Sequence, residues 1–326
     1  MGYNKENYKR IRTEFETRAL RAQEEADARR FELYAAIPEL AEQDRRLSAV
    51  GLRIMQAALN AKDPEQEIAR LRAENEQACA ARAQLLLAHG YPADYTEPQY
   101  ECKLCSDSGY VGIKMCSCMR RALIDAGMQS SGLSTLMRTQ SFENFSLDYY
   151  RAKPEEARRM QENLEFAKQY AQSFTTDGKH PASLLLLGGT GLGKTHLSTA
   201  MARVIIERGY DVFYNSAVGM ISDFEYRRFG NGLTATEGDD TARYVECDLL
   251  IIDDLGTEVI NQFTLSCPYH VINTRLNLQK PTVISTNLTP TELRKSYTDR
   301  ITSRLLGEYQ LLPFYGTDVR RQKLER

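Results

Sequence analysis

Gly188-Gly189-Thr190-Gly191-Leu192-Gly193-Lys194-Thr195 decides how the rest of this chain is read. The stretch fits G-x-x-x-x-G-K-[ST] at every fixed position. Its flanks fit as well. Ser183-Leu184-Leu185-Leu186-Leu187 reads as a short buried strand, and His196 to Glu207 carries apolar residues at helical spacing (Leu197, Ala200, Met201, Val204 and Ile205). Strand, glycine loop and helix start are what a triphosphate needs. The glycines let backbone N–H groups turn inward around phosphate oxygens, and the helix N-terminus adds a favourable field. Lys194 is placed to reach the β- and γ-phosphates of ATP, and Thr195 to offer its hydroxyl to Mg²⁺. The alternative, a glycine-rich turn that binds nothing, does not account for the matching context.

Further along, Leu249-Leu250-Ile251-Ile252-Asp253-Asp254 reads as a central buried strand with paired acids at its C-terminal edge. Ligands of open α/β sheets bind at that edge. Asp253 is the natural Mg²⁺-side carboxylate, and Asp254 is the candidate that orients the attacking water. Glu258, one turn on, competes as a base. A second apolar strand, Pro281 to Asn287, ends in an Asn that can sit beside the γ-phosphate, although a strand-terminal Asn is also a common turn former. Arg300, Arg304, Arg320 and Arg321 are cationic candidates for the charge that develops during phosphoryl transfer. From Arg151 onward helices and strands alternate, as in a parallel sheet flanked by helices, which places the chain in the α/β class.

Cys102-Lys103-Leu104-Cys105 is followed, after ten residues, by Cys116-Ser117-Cys118, with Gly109 and Gly112 between the pairs. Four thiolates close a tetrahedral structural Zn²⁺ site with no open position, and a segment this short draws much of its folding energy from the metal. An iron–sulfur cluster suits four thiolates too. A redox C-x-x-C has no thioredoxin-like frame here. Cys79, Cys247 and Cys267 read as small core residues.

Composition sets the bounds. The chain has 326 residues, seven cysteines and a formal net charge of −2, so it does not announce a nucleic-acid binder. Neither an apolar signal core nor an apolar run of spanning length is visible, and the expectation is a cytoplasmic protein with no membrane partner. Residues 1–92 read as a helical or coiled-coil region, one face of which is a candidate partner-docking surface. It divides into Asn4–Ala36, a segment from Pro38 to about Asn60, and a third opened by Asp63-Pro64 and stopped at Gly90, with an apolar stripe of Ile68, Leu71, Ala78, Leu85 and Leu86. Residues 93–121 are the zinc-ribbon-like element, 122–149 a linker, and 150–326 the ATPase domain. Arg227 and Arg228, between Tyr226 and Phe229, are a weaker candidate for single-stranded DNA contact; an ordinary helix face is the alternative.

The set GGTGLGKTH, LLIIDDLGTE, INTRL, ISTNL and DRITSRLLGEY…FYGTDVR resembles the DnaC/DnaI-type replicative helicase loaders, AAA+ P-loop ATPases related to the IstB-type transposition ATPases. The likeness runs from Phe142 to about Arg320. SFENFSLDYY and the cysteine cluster also look like that family. The resemblance implies ATP hydrolysis with Mg²⁺, a hexameric replicative helicase and single-stranded DNA as partners, and self-association through the ATPase domain. It matches Lys194 and Thr195 to the nucleotide loop, Asp253 and Asp254 to the second acidic motif, and Asn287 to the sensor Asn. Arg304 matches the trans-acting finger, and Arg320 the sensor arginine. Asp254 departs from the wider AAA+ pattern, where Glu is usual.

Overall fold

The computed structural model describes residues 3–60, 64–176, 181–229 and 240–324. Asp63, expected to cap the third helix, lies outside the described residues, as does the side chain of Phe229. The chain divides into two compact units, residues 11–119 and residues 1–10 with 120–326.

The smaller unit is helical. It contains most of α1 (Lys5–Ala36), then α2 (Pro38–Asn60) and α3 (Pro64–Ala88). Prolines open α2 and α3, as expected where a missing N–H costs nothing. The pairing of α2 with α3 buries Leu71 beside Val50 and Ala57. Leu86 packs with Leu33, Ile37 and Leu40. Asp44 accepts from Arg82 Nε at 2.5 Å and from the Tyr34 hydroxyl at 2.6 Å, which ties the three helices together. Cys79 is exposed, so it is a surface residue rather than the core residue expected. The cysteine segment follows as a tight two-stranded hairpin, β1 (Tyr110–Val111) and β2 (Lys114–Met115).

The larger unit is built on five parallel strands: β3 (Leu184–Leu187), β4 (Val212–Ser216), β5 (Leu249–Leu255), β6 (Thr282–Thr286) and β7 (Gln310–Pro313). Their order across the sheet is β4-β5-β6-β3-β7. Strands covered on both faces become continuous apolar runs, as in Leu184–Leu187 and Leu249–Ile252. Alternate side chains feed two cores. Leu184, Leu186, Ile251 and Val283 meet helices α5 (Pro154–Ser173) and α6 (Lys194–Glu207) on one face. On the other, Leu185, Leu187, Leu250 and Ile252 pack with residues of α7 (Ala217–Phe229), α8 (Asp240–Glu246), α9 (Gln262–Asn277), α10 (Pro290–Ser296) and α11 (Asp299–Gly307). The unit ends in α12 (Val319–Leu324). This is the AAA+ P-loop architecture.

Residues 122–149, expected as a linker, differ from that expectation. After α4 (Ser117–Ser130) they carry Leu133, Met137, Phe142 and Phe145 into the first core, because the apolar side chains of this stretch cover α6. The first residues also pack in this unit. Asn4 Nδ2 donates to Asp211 Oδ2 at 3.1 Å, and Asn7 Nδ2 to Ser130 Oγ at 2.7 Å.

Candidate functional site

The phosphate loop sits between the buried end of β3 and the start of α6. Gly191 and Gly193 adopt φ of +71° and +87°. Close approach excludes larger residues at both. A Cβ on Gly191 would strike the Asp318 carboxylate, and one on Gly193 would lie 2.9 Å from the Phe145 ring. Lys194 is only 5% exposed, and its Nζ donates to Gly188 O (2.6 Å), Gly189 O (2.7 Å) and Asn287 Oδ1 (2.7 Å). Burial lowers its pKa, while the carboxylates of Asp254 and Asp253 pull the other way. Thr195 Oγ1 donates to Asp253 Oδ2 at 2.9 Å. That hydroxyl and carboxylate are a hard-oxygen pair of the kind Mg²⁺ takes.

Asp253 and Asp254 are placed by an irregularity in the sheet. Ile252 stands opposite Ile284 and Leu255 opposite Thr286, so two residues of β5 oppose Ser285 alone. Such a bulge re-aims a side chain that a regular strand would send elsewhere. Asp254 adopts φ +55° there. Ser285 braces both acids: its Oγ accepts from Asp254 N at 2.9 Å and donates to Asp253 Oδ1. The Tyr214 hydroxyl adds a second donor to Asp253 Oδ2 at 2.9 Å. Asp254 Oδ1 lies 3.4 Å from the donating Asn287 Nδ2. Burial, then the Asp253 charge, raises the Asp254 pKa against the pull of Lys194 and Arg320.

One open cavity joins these groups. The loop residues Thr190–Thr195, with His196, Asp254, Asn287 and Arg320, line it together with residues between Gln140 and Tyr150 and with Val319 and Lys323 of α12. Tyr150 holds this wall to the loop through its hydroxyl, which donates to Leu192 O at 2.9 Å. Val319 N donates to Gly191 O at 3.0 Å. The structure thus brings together Lys194, Thr195, Asp253, Asp254, Asn287 and Arg320.

Other candidates lie elsewhere. Glu258 accepts from Gly256 N at 2.9 Å and from the Tyr297 hydroxyl, and it does not line the cavity. Arg304 is also outside its own chain's cavity. Its Nε and Nη2 both donate to Asn273 Oδ1 (3.0 and 2.6 Å). Arg300 and Arg321 are exposed. Arg275, in the INTRL stretch, is fully buried and donates to the carbonyls of Tyr244 (3.1 Å), Cys247 (3.0 Å) and Pro281 (2.7 Å), pinning α9 to the strand ends. At the α7 candidate, Arg228 stacks 5.2 Å from the Phe263 ring and Arg227 donates to Thr241 Oγ1.

The four cysteines of the hairpin segment converge separately, with all four Sγ within 4.8 Å of one another. Cys102 and Cys116 are 3.8 Å apart, and Cys105 and Cys118 3.5 Å. Tetrahedral zinc with bonds of about 2.3 Å puts its sulfurs about 3.8 Å apart, so the set fits that ion. Sequence reading missed its brace. Asp107 is fully buried, accepts from Cys102 N and Glu101 N (both 2.9 Å), and pairs with Arg18 at 3.0 Å.

With the geometry in place, the model of the IstB-like ATP binding protein family matches residues 128–323, more than half of the chain. The chain belongs to that family. This IstB-like protein is 28% identical over 213 residues to the phage-like element PBSX protein XkdC of Bacillus subtilis (strain 168), covering 61% of this chain and 76% of the relative. It is 26% identical over 196 residues to the replicative helicase loader DnaC of Escherichia coli (strain K12), covering 60% and 74%. Among solved structures, a crystal structure of the DnaC helicase loader is 21% identical, with 53% of this chain and 98% of that chain covered and a TM-score of 0.44. Among its described residues, the IstB-like protein has no helix long and apolar enough to cross a membrane.

Proposed function

We propose that this protein hydrolyses ATP and uses the cycle to load a hexameric replicative helicase onto single-stranded DNA at replication initiation. The convergence of Lys194, Asp254 and Asn287 through direct hydrogen bonds at one cavity supports the chemical half. Lys194 neutralises the β- and γ-phosphate oxygens. Asp254 takes the proton of the attacking water, and Asn287 holds that water and the Lys194 ammonium in register. Arg320 acts within its own subunit, and Arg304 completes the site of a neighbour. Thr195 and Asp253 would hold Mg²⁺, which supplies charge neutralisation of the phosphates. Cys102, Cys105, Cys116 and Cys118 would hold a structural zinc.

The helicase half is supported by the similarity to the replicative helicase loader DnaC. The test is loading of a ring helicase onto closed circular single-stranded DNA, with and without the protein and ATP. Loading that needs both supports the reading, and no co-purification with a helicase contradicts it. Membership of the IstB-like family keeps one other reading open, a transposition helper on duplex DNA. Capture of a transposase instead of a helicase selects it. A nucleotide-gated scaffold is excluded by sustained phosphate release.

A further inference from the structure

We propose that Asn273 is the positioning residue for Arg304, holding its guanidinium in one orientation without neutralising it. The inference rests on the reading of Arg304 as the finger that completes a neighbour's ATP site, and adds the residue that aims it. Arg300 and Arg304 stand one turn apart on α11, so they share a helix face. Their surroundings differ. Arg304 is half-buried, and its Nε and Nη2 converge on Asn273 Oδ1 at 3.0 and 2.6 Å. Its Cζ lies 5.6 Å from the centre of the Tyr269 ring. Arg300 is exposed, and among the described residues its side chain has no such hold. A long surface cation samples many rotamers, and fixing it before subunits meet removes that entropic cost from the reacting complex.

Both sides of this contact are rigid. Tyr269 and Asn273 are one turn apart on α9 and present one face to Arg304. Asn261 caps the start of that helix, accepting from Phe263 N and Thr264 N at 2.8 and 3.0 Å, and buried Arg275 pins its end. Val271 and Ile272 of α9 are fully buried, as are Ile301 and Leu305 of α11, all in the same core. The chemistry of the acceptor matters as much as its place. A guanidinium only donates, so the Asn273 amide turns its oxygen toward it. Among the described residues no carboxylate pairs with Arg304. A carboxylate at position 273 would bind the guanidinium more strongly and cancel the charge that a transferring phosphoryl group needs. A neutral amide orients the group and leaves its charge available.

Steady-state phosphate release and ATP binding by the full chain with Mg²⁺, at self-associating concentration, test this. Asn273→Leu removes the acceptor at similar volume. It should lower kcat about tenfold, the effect of one lost hydrogen bond, and leave ATP affinity within about twofold of the parent. Asn273→Asp keeps an acceptor but adds a charge. It should also be slow, although it melts no lower than the parent, because the new ion pair ties α9 to α11 while cancelling the charge. Mixed with Lys194→Ala, each Asn273→Leu subunit should work several-fold faster, because its intact loop then meets a finger that is held. A residue that only supported its own subunit's fold would show no such gain. Asn273→Leu or Asn273→Asp at the parent rate overturns the proposal. So does Asn273→Leu that gains nothing in mixed assemblies where Arg304→Ala does gain. A rate above the parent's would mean that Asn273 parks the arginine away from the site, and overturns it as well. Full turnover by Arg304→Ala, or no gain by it on mixing, overturns the finger reading itself and this inference with it.

Discussion

The phosphate loop and the cysteine hairpin both turn several ligating groups toward one point, yet they draw rigidity from opposite sources. The loop hangs from a strand buried on both faces and feeds a helix whose first residue is 5% exposed. The hairpin has two-residue strands, and Ile113, Leu104 and Val111 stand 98%, 75% and 53% exposed. A site set in a core is organised before its ligand arrives. A site without one needs the ligand to fold. The contrast can be broken at either end.

Chelation gives the largest expected effect. Removing metal should unfold the hairpin and make Cys102, Cys105, Cys116 and Cys118 reactive to a thiol reagent, with the larger unit's melting unchanged. Metal analysis before chelation should find one zinc per chain. A metal-free protein whose four thiols are already reactive removes the site, and a brown, iron-containing sample points to a cluster instead.

Next comes assembly. Arg304→Ala should keep ATP affinity and lose turnover by orders of magnitude. Mixing it with Lys194→Ala under assembling conditions should restore partial activity, because the intact loop of one meets the intact finger of the other. No recovery in mixed assemblies contradicts the trans role. Arg275→Ala should instead lower stability, because it strips donors from buried carbonyls.

Within the loop's own sheet, Ser285→Ala removes the brace shared by Asp253 and Asp254. A fall of about tenfold in kcat with KM nearly unchanged is expected, the size of one lost hydrogen bond. An equal change in both parameters would mean that Ser285 supports binding rather than the bulge.

The smallest expected effect is on pH. The Asp254 pKa is raised and a base works ionised, so the rate should climb with pH and its acid limb should lie above the ordinary carboxylate range. A limb near pH 4 would place the base elsewhere.

What the sequence made legible was local. The loop, the paired acids and the four cysteines are contiguous or nearly so, and their chemistry follows from spacing. Residues brought in by the sheet were not legible. Ser285 reaches Asp253 from 32 positions away, and Tyr214 from 39. Only strand order and register make them neighbours. Asp107 carries no mark in the sequence, and its role shows only in its burial and its bonds to Glu101 N and Cys102 N. Arg275 lies in the INTRL stretch, and only the fold shows it to be a buried pin. Residues 122–149 read as a linker because the partner of their apolar side chains, α6, is far along the chain and brought near only by the fold.

Phosphate release from ATP with Mg²⁺, by the parent and by Lys194→Ala at self-associating concentration, tests the central claim most directly. The account predicts sustained release by the parent and none detectable from a variant that melts like it. Equal release by both would contradict the active site described above.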